Sequence, residues 1–193
     1  MSVLVLGLLI FLGVHSVRIF ADGWRQSQIA RGGEARWKGL YSLASAIGLG
    51  LIVWGYGLAR AEPLPLWPTP TWTRHVAALL TLPAFILIAV AYVPASYIKS
   101  RVGHPMVAGV KLWALAHLLA NGNLADLLLF GAFLAWAVAS FASARRRDRA
   151  SGRTFPAPCW PCEATGVAIG TLAWAGFAFW GHAWLIGVAP FAR

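Results

Sequence analysis

Long apolar runs parted by short polar or basic segments pattern this chain. Six stretches stand out: Ser2–Phe20, Gly39–Ala59, His75–Tyr97, Pro105–Ala120, Asn123–Ala142 and Ala164–Ala189. A bilayer core about 30 Å thick takes about 20 helical residues to cross, so the pattern predicts an all-α, polytopic membrane bundle of about six transmembrane helices. The fourth run is short, reaching about 24 Å at a rise of about 1.5 Å per residue. It stops at Asn121-Gly122-Asn123, a tight-turn signature, and makes a helical hairpin with the fifth. Pro83 and Pro94 interrupt the third run and predict kinks, tolerable where neighbours satisfy the freed carbonyls. Gly166-Val-Ala-Ile-Gly170 is a GxxxG that lets the sixth helix approach another closely. The loop Pro63–Pro70, with Trp67 and Trp72, fits an ordered interfacial segment. No repeat at a fixed period breaks the chain into parts, and residues 1–193 are expected to form a single domain.

Composition agrees with this pattern. Of 193 residues, 59% are hydrophobic and 11% charged, against roughly 25% charged in a soluble domain. Too few polar side chains remain to cover a water-facing surface, which excludes a soluble enzyme, a disordered chain and a nucleic-acid module. The +10 balance is then a matter of orientation in a lipid bilayer. Arg18–Lys38 holds five Lys/Arg, Lys99–Arg101 two and Arg145–Arg153 five, whereas the opposite loops hold only Arg60, Arg74 and Arg193. The positive-inside rule puts both termini in the periplasm of a bacterial inner membrane. No Lys or Arg precedes Arg18, so the first run lacks the basic start of a cleaved signal peptide.

The informative residues are those that lipid should reject. His15, His117 and His182 lie within spans, while His75 and His104 sit at their edges. An intramembrane ionisable group is a functional hypothesis by default, although any one histidine alone more often bonds a neighbouring carbonyl. Several together, with no soluble domain to host other chemistry, point to a site. Imidazoles on facing helices can clamp a haem iron axially. A non-haem metal would more often recruit carboxylates, and only Asp126 lies near a span.

Depth does not choose the pair. His15 lies about 20 Å below the outer surface and His117 about 5–12 Å below it. His182 matches His117 better, and His104 lies closer to His15. The hairpin puts Asp126 at a depth similar to His117, where a carboxylate could orient the imidazole. Trp113 and Asn121 share the face of His117, at i−4 and i+4. Lys111 falls on the His104 side, where it can snorkel. Arg18, one turn beyond His15, could meet a haem propionate but is more simply a positive-inside residue. Cys159-Trp-Pro-Cys162 has CxxC spacing, yet two thiols are half of a structural zinc set and no βαβ pattern surrounds them. They are expected to be incidental reduced thiols in a cytoplasmic loop.

Val14-His15-Ser16, Gly33-Glu34-Ala35-Arg36-Trp37-Lys38-Gly39-Leu40-Tyr41 and the stretch from His104-Pro105-Met106 through Leu112-Trp113-Ala114-Leu115-Ala116-His117-Leu118-Leu119-Ala120-Asn121-Gly122 resemble the NnrU family of bacterial membrane proteins. The ending His182-Ala183-Trp184-Leu185-Ile186-Gly187-Val188 does so too. That resemblance implies a link to nitrogen-oxide metabolism in denitrifying bacteria. The pattern also looks like that of zeta-carotene isomerase, a haem b membrane enzyme, whose two axial histidines fall on His15 and His117. The family's cysteine before the second ligand corresponds to Ala114 here, so thiol ligand exchange is absent. A third resemblance, to membrane methyltransferases that open an S-adenosylmethionine hairpin with RHP, rests on Gly103-His104-Pro105, where glycine replaces the arginine.

The resulting expectation is an inner-membrane haem b protein. His15 and His117 are the axial ligands, Asp126 orients His117, and Arg18, Trp113 and Asn121 complete the cofactor site. Its work would be redox, sensing or isomerase-like chemistry. A methyltransferase built on His104 and a non-enzymatic scaffold for nitric oxide reductase components are the alternatives, and either His182 or His104 could replace a ligand.

Overall fold

In hydrocarbon every backbone N–H and C=O must be satisfied within the segment, so apolar runs of this length fold as helices. The computed structural model describes residues 1–191, and Arg193 of the charge tally lies outside them. The elements are α1 (Ser2–Phe20), α2 (Asp22–Ala61), α3 (Trp72–Val90), α4 (Tyr97–Val102), α5 (Pro105–Ala120), α6 (Leu124–Ser151) and α7 (Trp160–Gly176). A π-helical turn (Phe177–Gly181) and α8 (His182–Ile186) continue α7. Five of these helical segments are long and apolar enough to cross a membrane, and α5 is a shorter apolar sixth. The protein is a multi-pass helical membrane bundle.

Close backbone approach holds the bundle together. α1 packs along α2, where a Cβ at Gly7 would come within 2.6 Å of the Ile52 nitrogen and one at Gly48 within 2.8 Å of the Phe11 nitrogen. Small residues at such seams let dispersion act between whole backbones, which is what holds helices together in lipid. The GxxxG of α7 does the same against α3: a Cβ at Gly170 would stand 2.6 Å from Ile86 Cα, and one at Gly166 2.9 Å from Val93 Cγ2. α5 packs on α3 and α6, and α6 also on α1. The apolar centre joins Leu4 and Leu8 of α1, Ile52 of α2, Ala114 of α5 and Leu129 and Phe130 of α6.

The structure redraws three boundaries. The second span does not start at Gly39. Its helix begins just after a break at Gly33, whose φ of 80° only glycine adopts cheaply, and the basic segment ahead of the break, expected as a loop, is a separate helical stretch from Asp22. The third helix ends at Val90 rather than Tyr97, and Pro94 lies in the turn that follows, so Pro83 alone interrupts it. Pro94 explains that ending, because it has no N–H for the Val90 carbonyl and its ring would clash with it; the Lys99 ammonium donates to the Ala91 carbonyl at 2.9 Å. The sixth span begins earlier, at Trp160, behind the N-cap Cys159.

The predicted α5–α6 hairpin is present. Asn121 to Asn123 connect the two helices, and the Gly122 carbonyl accepts from Leu66 and Trp67 of the Pro-rich loop, while Leu124 N–H donates to Leu64. That loop is therefore tied over the hairpin tip. At the opposite end of the bundle the basic segments converge: Arg147 donates to the Arg18 carbonyl, and Arg145 lies against Gly103. Arg60 sits at the hairpin-tip end, bonded to the Ile186 carbonyl.

Candidate functional site

Three imidazoles share one hydrogen-bonding pattern. His15 Nδ1 is 2.7 Å from the Phe11 carbonyl, His117 Nδ1 is 2.9 Å from the Trp113 carbonyl, and His182 Nδ1 is 2.7 Å from the Val188 carbonyl. A carbonyl can only accept, so each Nδ1 carries its proton and donates. In a neutral imidazole the other nitrogen, Nε2, then holds a free lone pair. None of the three Nε2 atoms has a hydrogen-bond partner among the described residues. A second-shell bond at one ring nitrogen that frees the other for a metal is the usual preparation of a histidine ligand.

The surroundings are aromatic. His15 stacks on Phe11 with ring centroids 4.1 Å apart and is flanked by Tyr41 and Trp136. His117 lies 4.6 Å from Phe130 and 5.2 Å from Trp113. Phe133 joins the two groups, at 5.8 Å from Phe11 and 5.6 Å from Trp113. His15 and His117 thus stand at opposite ends of one row of rings contributed by α1, α5 and α6. The Trp136 indole N–H beside His15 is buried with no partner. An orphaned donor of that kind asks for an acceptor the chain does not supply.

His182, the expected substitute ligand, stands beside His117. Its ring centroid is 6.5 Å from that of His117, the two planes 26° apart. The π-helical turn Phe177–Gly181 directly precedes it, and such one-turn widenings are often found at functional positions. Depth puts His182 nearer the level of His117 without choosing a pair, and the two rings are neighbours.

Asp126 has other work than orienting His117. Its carboxylate accepts from the Tyr56 hydroxyl at 2.5 Å, from the Asn123 backbone N–H at 3.1 Å and from the Asn123 side chain at 3.0 Å. It closes a reciprocal capping box at the start of α6, and the imidazole takes a backbone carbonyl instead. Tyr56 was not foreseen; a phenol 70 residues away leaves no local signal. Asn121 bonds the His117 carbonyl through its side chain at 2.8 Å, which ends α5 one turn beyond the ring. Arg18 is exposed, and it offers its carbonyl to Arg147.

His104 lies apart. Its Nε2 bonds Asp148 at 2.8 Å, so no lone pair is left for a ligand at that nitrogen. Lys111 shares its side as expected, with its ammonium 3.8 Å from the Phe141 ring. The cysteines are not free thiols: Cys159 and Cys162 are joined in a disulfide. Their place at the head of α7 brings the sulfurs together. Among the described residues no cluster of three or more His, Cys, Asp or Glu could hold a metal ion.

The family model described as NnrU protein matches residues 3–190. The chain belongs to the NnrU family. No curated protein and no solved structure matches it. The NnrU match covers all three of these histidines, the hairpin and the disulfide, so the arrangement above lies wholly within the family's domain.

Proposed function

We propose that this NnrU protein is a haem b-binding protein of the bacterial inner membrane, acting in nitrogen-oxide metabolism. The observation that carries the reading is the shared state of His15, His117 and His182: Nδ1 committed to a carbonyl and Nε2 free. Neutral imidazoles on separate helices, in aromatic surroundings, suit a flat apolar macrocycle with axial nitrogen ligands. The orphaned Trp136 N–H suits a propionate or another acceptor on such a group. His15 and His117 are the proposed ligands. Bound haem would supply one-electron or axial-ligand chemistry. The chain would supply ligand tautomer, ring orientation and exclusion of water.

A second pairing has its own support. His117 and His182 already face each other at 6.5 Å between centroids, so His182 is the proposed substitute for His15. The methyltransferase reading is less supported, since the histidine it needs is engaged by Asp148. Nitric oxide reductase components remain the proposed partners of a scaffold role. The gathering of Arg18, Arg145 and Arg147 at one end supports periplasmic termini.

The test is the visible spectrum of detergent-purified protein, oxidised and dithionite-reduced, from haem-replete cells. A Soret band with sharp reduced α and β bands is expected, lost in His117→Ala. Loss in His15→Ala but not His182→Ala selects the first pair, and the reverse selects the second. A colourless wild type overturns the reading.

A further inference from the structure

Cys159-Trp160-Pro161-Cys162 opens α7, a helix of 17 residues. Cys159 is the N-cap, and its sulfur accepts the backbone N–H of Cys162 at 3.3 Å. The two sulfurs are bonded to each other. A four-residue ring constrains an unfolded chain less than any longer one would, so a structural staple is a poor reason for this bridge. A pair at a helix N-terminus has a better one: the helix dipole and the aimed N–H stabilise a thiolate at the first cysteine. Pro161 contributes no competing N–H in that first turn.

The frame around the pair does not depend on the bridge. Cys159 N–H donates to the Ala95 carbonyl at 2.9 Å. The buried Glu163 carboxylate accepts from Tyr97 N–H at 2.9 Å and Ile98 N–H at 3.3 Å, which fixes α7 to the start of α4. Opening the disulfide therefore leaves the loop in place. Access is provided as well: Trp160 is 64% exposed, and residues 156–158 ahead of the motif are exposed. The motif lies at the basic end of the bundle, the cytoplasmic end in the orientation proposed above. Disulfides found in that compartment are usually transient and catalytic or sensing.

We infer that Cys159 and Cys162 form a dithiol–disulfide exchange site that takes electrons from a dithiol protein at the basic face of the membrane. A thiolate of the partner attacks Sγ of Cys159, and the Cys159–Cys162 bond breaks with Cys162 leaving as thiolate. The partner's second thiolate then attacks its own sulfur in the mixed disulfide and releases Cys159. Two electrons and two protons pass in all: the partner dithiol becomes a disulfide, and this chain gains two thiols. The site is separate from the histidines and stands whether or not haem binds.

The test uses the full-length protein in detergent, equilibrated in buffers of graded reduced-to-oxidised dithiothreitol and then acid-quenched. Tagging with a maleimide polymer should show passage between no free thiols and two. Fully reduced wild type is next given limiting iodoacetamide at pH 7, and the two peptides are separated by mass. Cys159 should alkylate about three-fold faster or more, because a unit's fall in pKa raises thiolate about ten-fold while lowering its nucleophilicity by a smaller factor. Thiols that never pair in oxidised dithiothreitol, or a bridge that never opens, overturn the inference. So does alkylation of the two cysteines at equal rates, or of Cys162 first.

Discussion

His104 and His117 stand at opposite ends of the same helix, α5, and their chemistry differs completely. His104 uses Nε2 to hold Asp148, and Arg153 holds the other oxygen of that carboxylate at 3.3 Å. This is a charged tie between the ends of α5 and α6 where water reaches. His117 meets no carboxylate. It gives Nδ1 to its own helix and leaves Nε2 open among rings. The nearby carboxylate, Asp126, is instead consumed by Tyr56 and Asn123. A buried acid and a buried histidine in one layer need not serve each other. Each takes the partner that satisfies it most completely, and the histidine left over is the one free to bind something else.

The largest expected effect follows from breaking the buried tie. Asp126 is 3% exposed, and Asp126→Ala removes the carboxylate half of the capping box, together with its bond to the Asn123 side chain, and leaves the Tyr56 hydroxyl without its acceptor. A lost cap and an unsatisfied buried hydroxyl together should cost about 2–4 kcal/mol. Asp148→Ala, at the watery end, should cost no more than about 1 kcal/mol. Denaturant unfolding of the two variants in the same micelles checks the difference, and equal losses would remove the contrast between the ends.

Much of this contrast could be read from the chain, and the part that could not has a physical cause. The α5–α6 hairpin was legible because Asn121-Gly122-Asn123 breaks two apolar runs with residues that favour turns. That α7 approaches a neighbour closely was legible because Gly166 and Gly170 recur on one helical face, but the choice of α3 was not. The end of α3 was only half legible: in the chain Pro94 reads as a kink in a longer span, whereas it stops the helix at Val90. Depth brought His117 and Asp126 level but could not say that Tyr56 would claim the carboxylate. The tether of each histidine to a nearby carbonyl is the plain expectation for a lone intramembrane imidazole, but the choice of Nδ1 over Nε2 is a rotamer matter on which sequence is silent. The disulfide was missed because CxxC was weighed against zinc and thioredoxin folds and not against a helix N-terminus.

A middling effect should come from the glycines beside the two histidines. A Cβ at Gly122 would run into the Trp67 carbonyl, a fixed backbone atom, whereas at Gly103 it would meet the far end of Arg145 at 2.8 Å. Gly122→Ala should therefore force the Pro-rich loop away and cost about 1–3 kcal/mol, as overpacking does. Gly103→Ala leaves a side chain that can swing aside, and its cost is confined to the backbone, where φ 82° and ψ −55° cost an L residue about 1–3 kcal/mol. Limited proteolysis gives the sharper readout: cleavage within residues 63–70 should rise in Gly122→Ala and stay unchanged in Gly103→Ala.

The smallest effect is a pH dependence confined to the Asp148 end. Burial works to raise the Asp148 carboxyl, but the hydrogen bond from Arg153, the charge of His104 and its hydrogen bond outweigh it and hold the group below its ordinary value. A carboxylate depressed in the folded state adds stability above its unfolded pKa and loses it as pH falls through the folded one. The loss should appear only below about pH 4, the ordinary carboxylate range. It should amount to at most about 1 kcal/mol, since Arg153 is part-exposed and the pair is screened by water. Unfolding midpoints of wild type and Asp148→Asn, compared between pH 6 and pH 3, measure it. The two curves should draw together toward the acid end, as the wild-type carboxylate takes up its proton and loses the charge that Asn lacks; curves that stay parallel would show that the tie contributes by packing and not by charge.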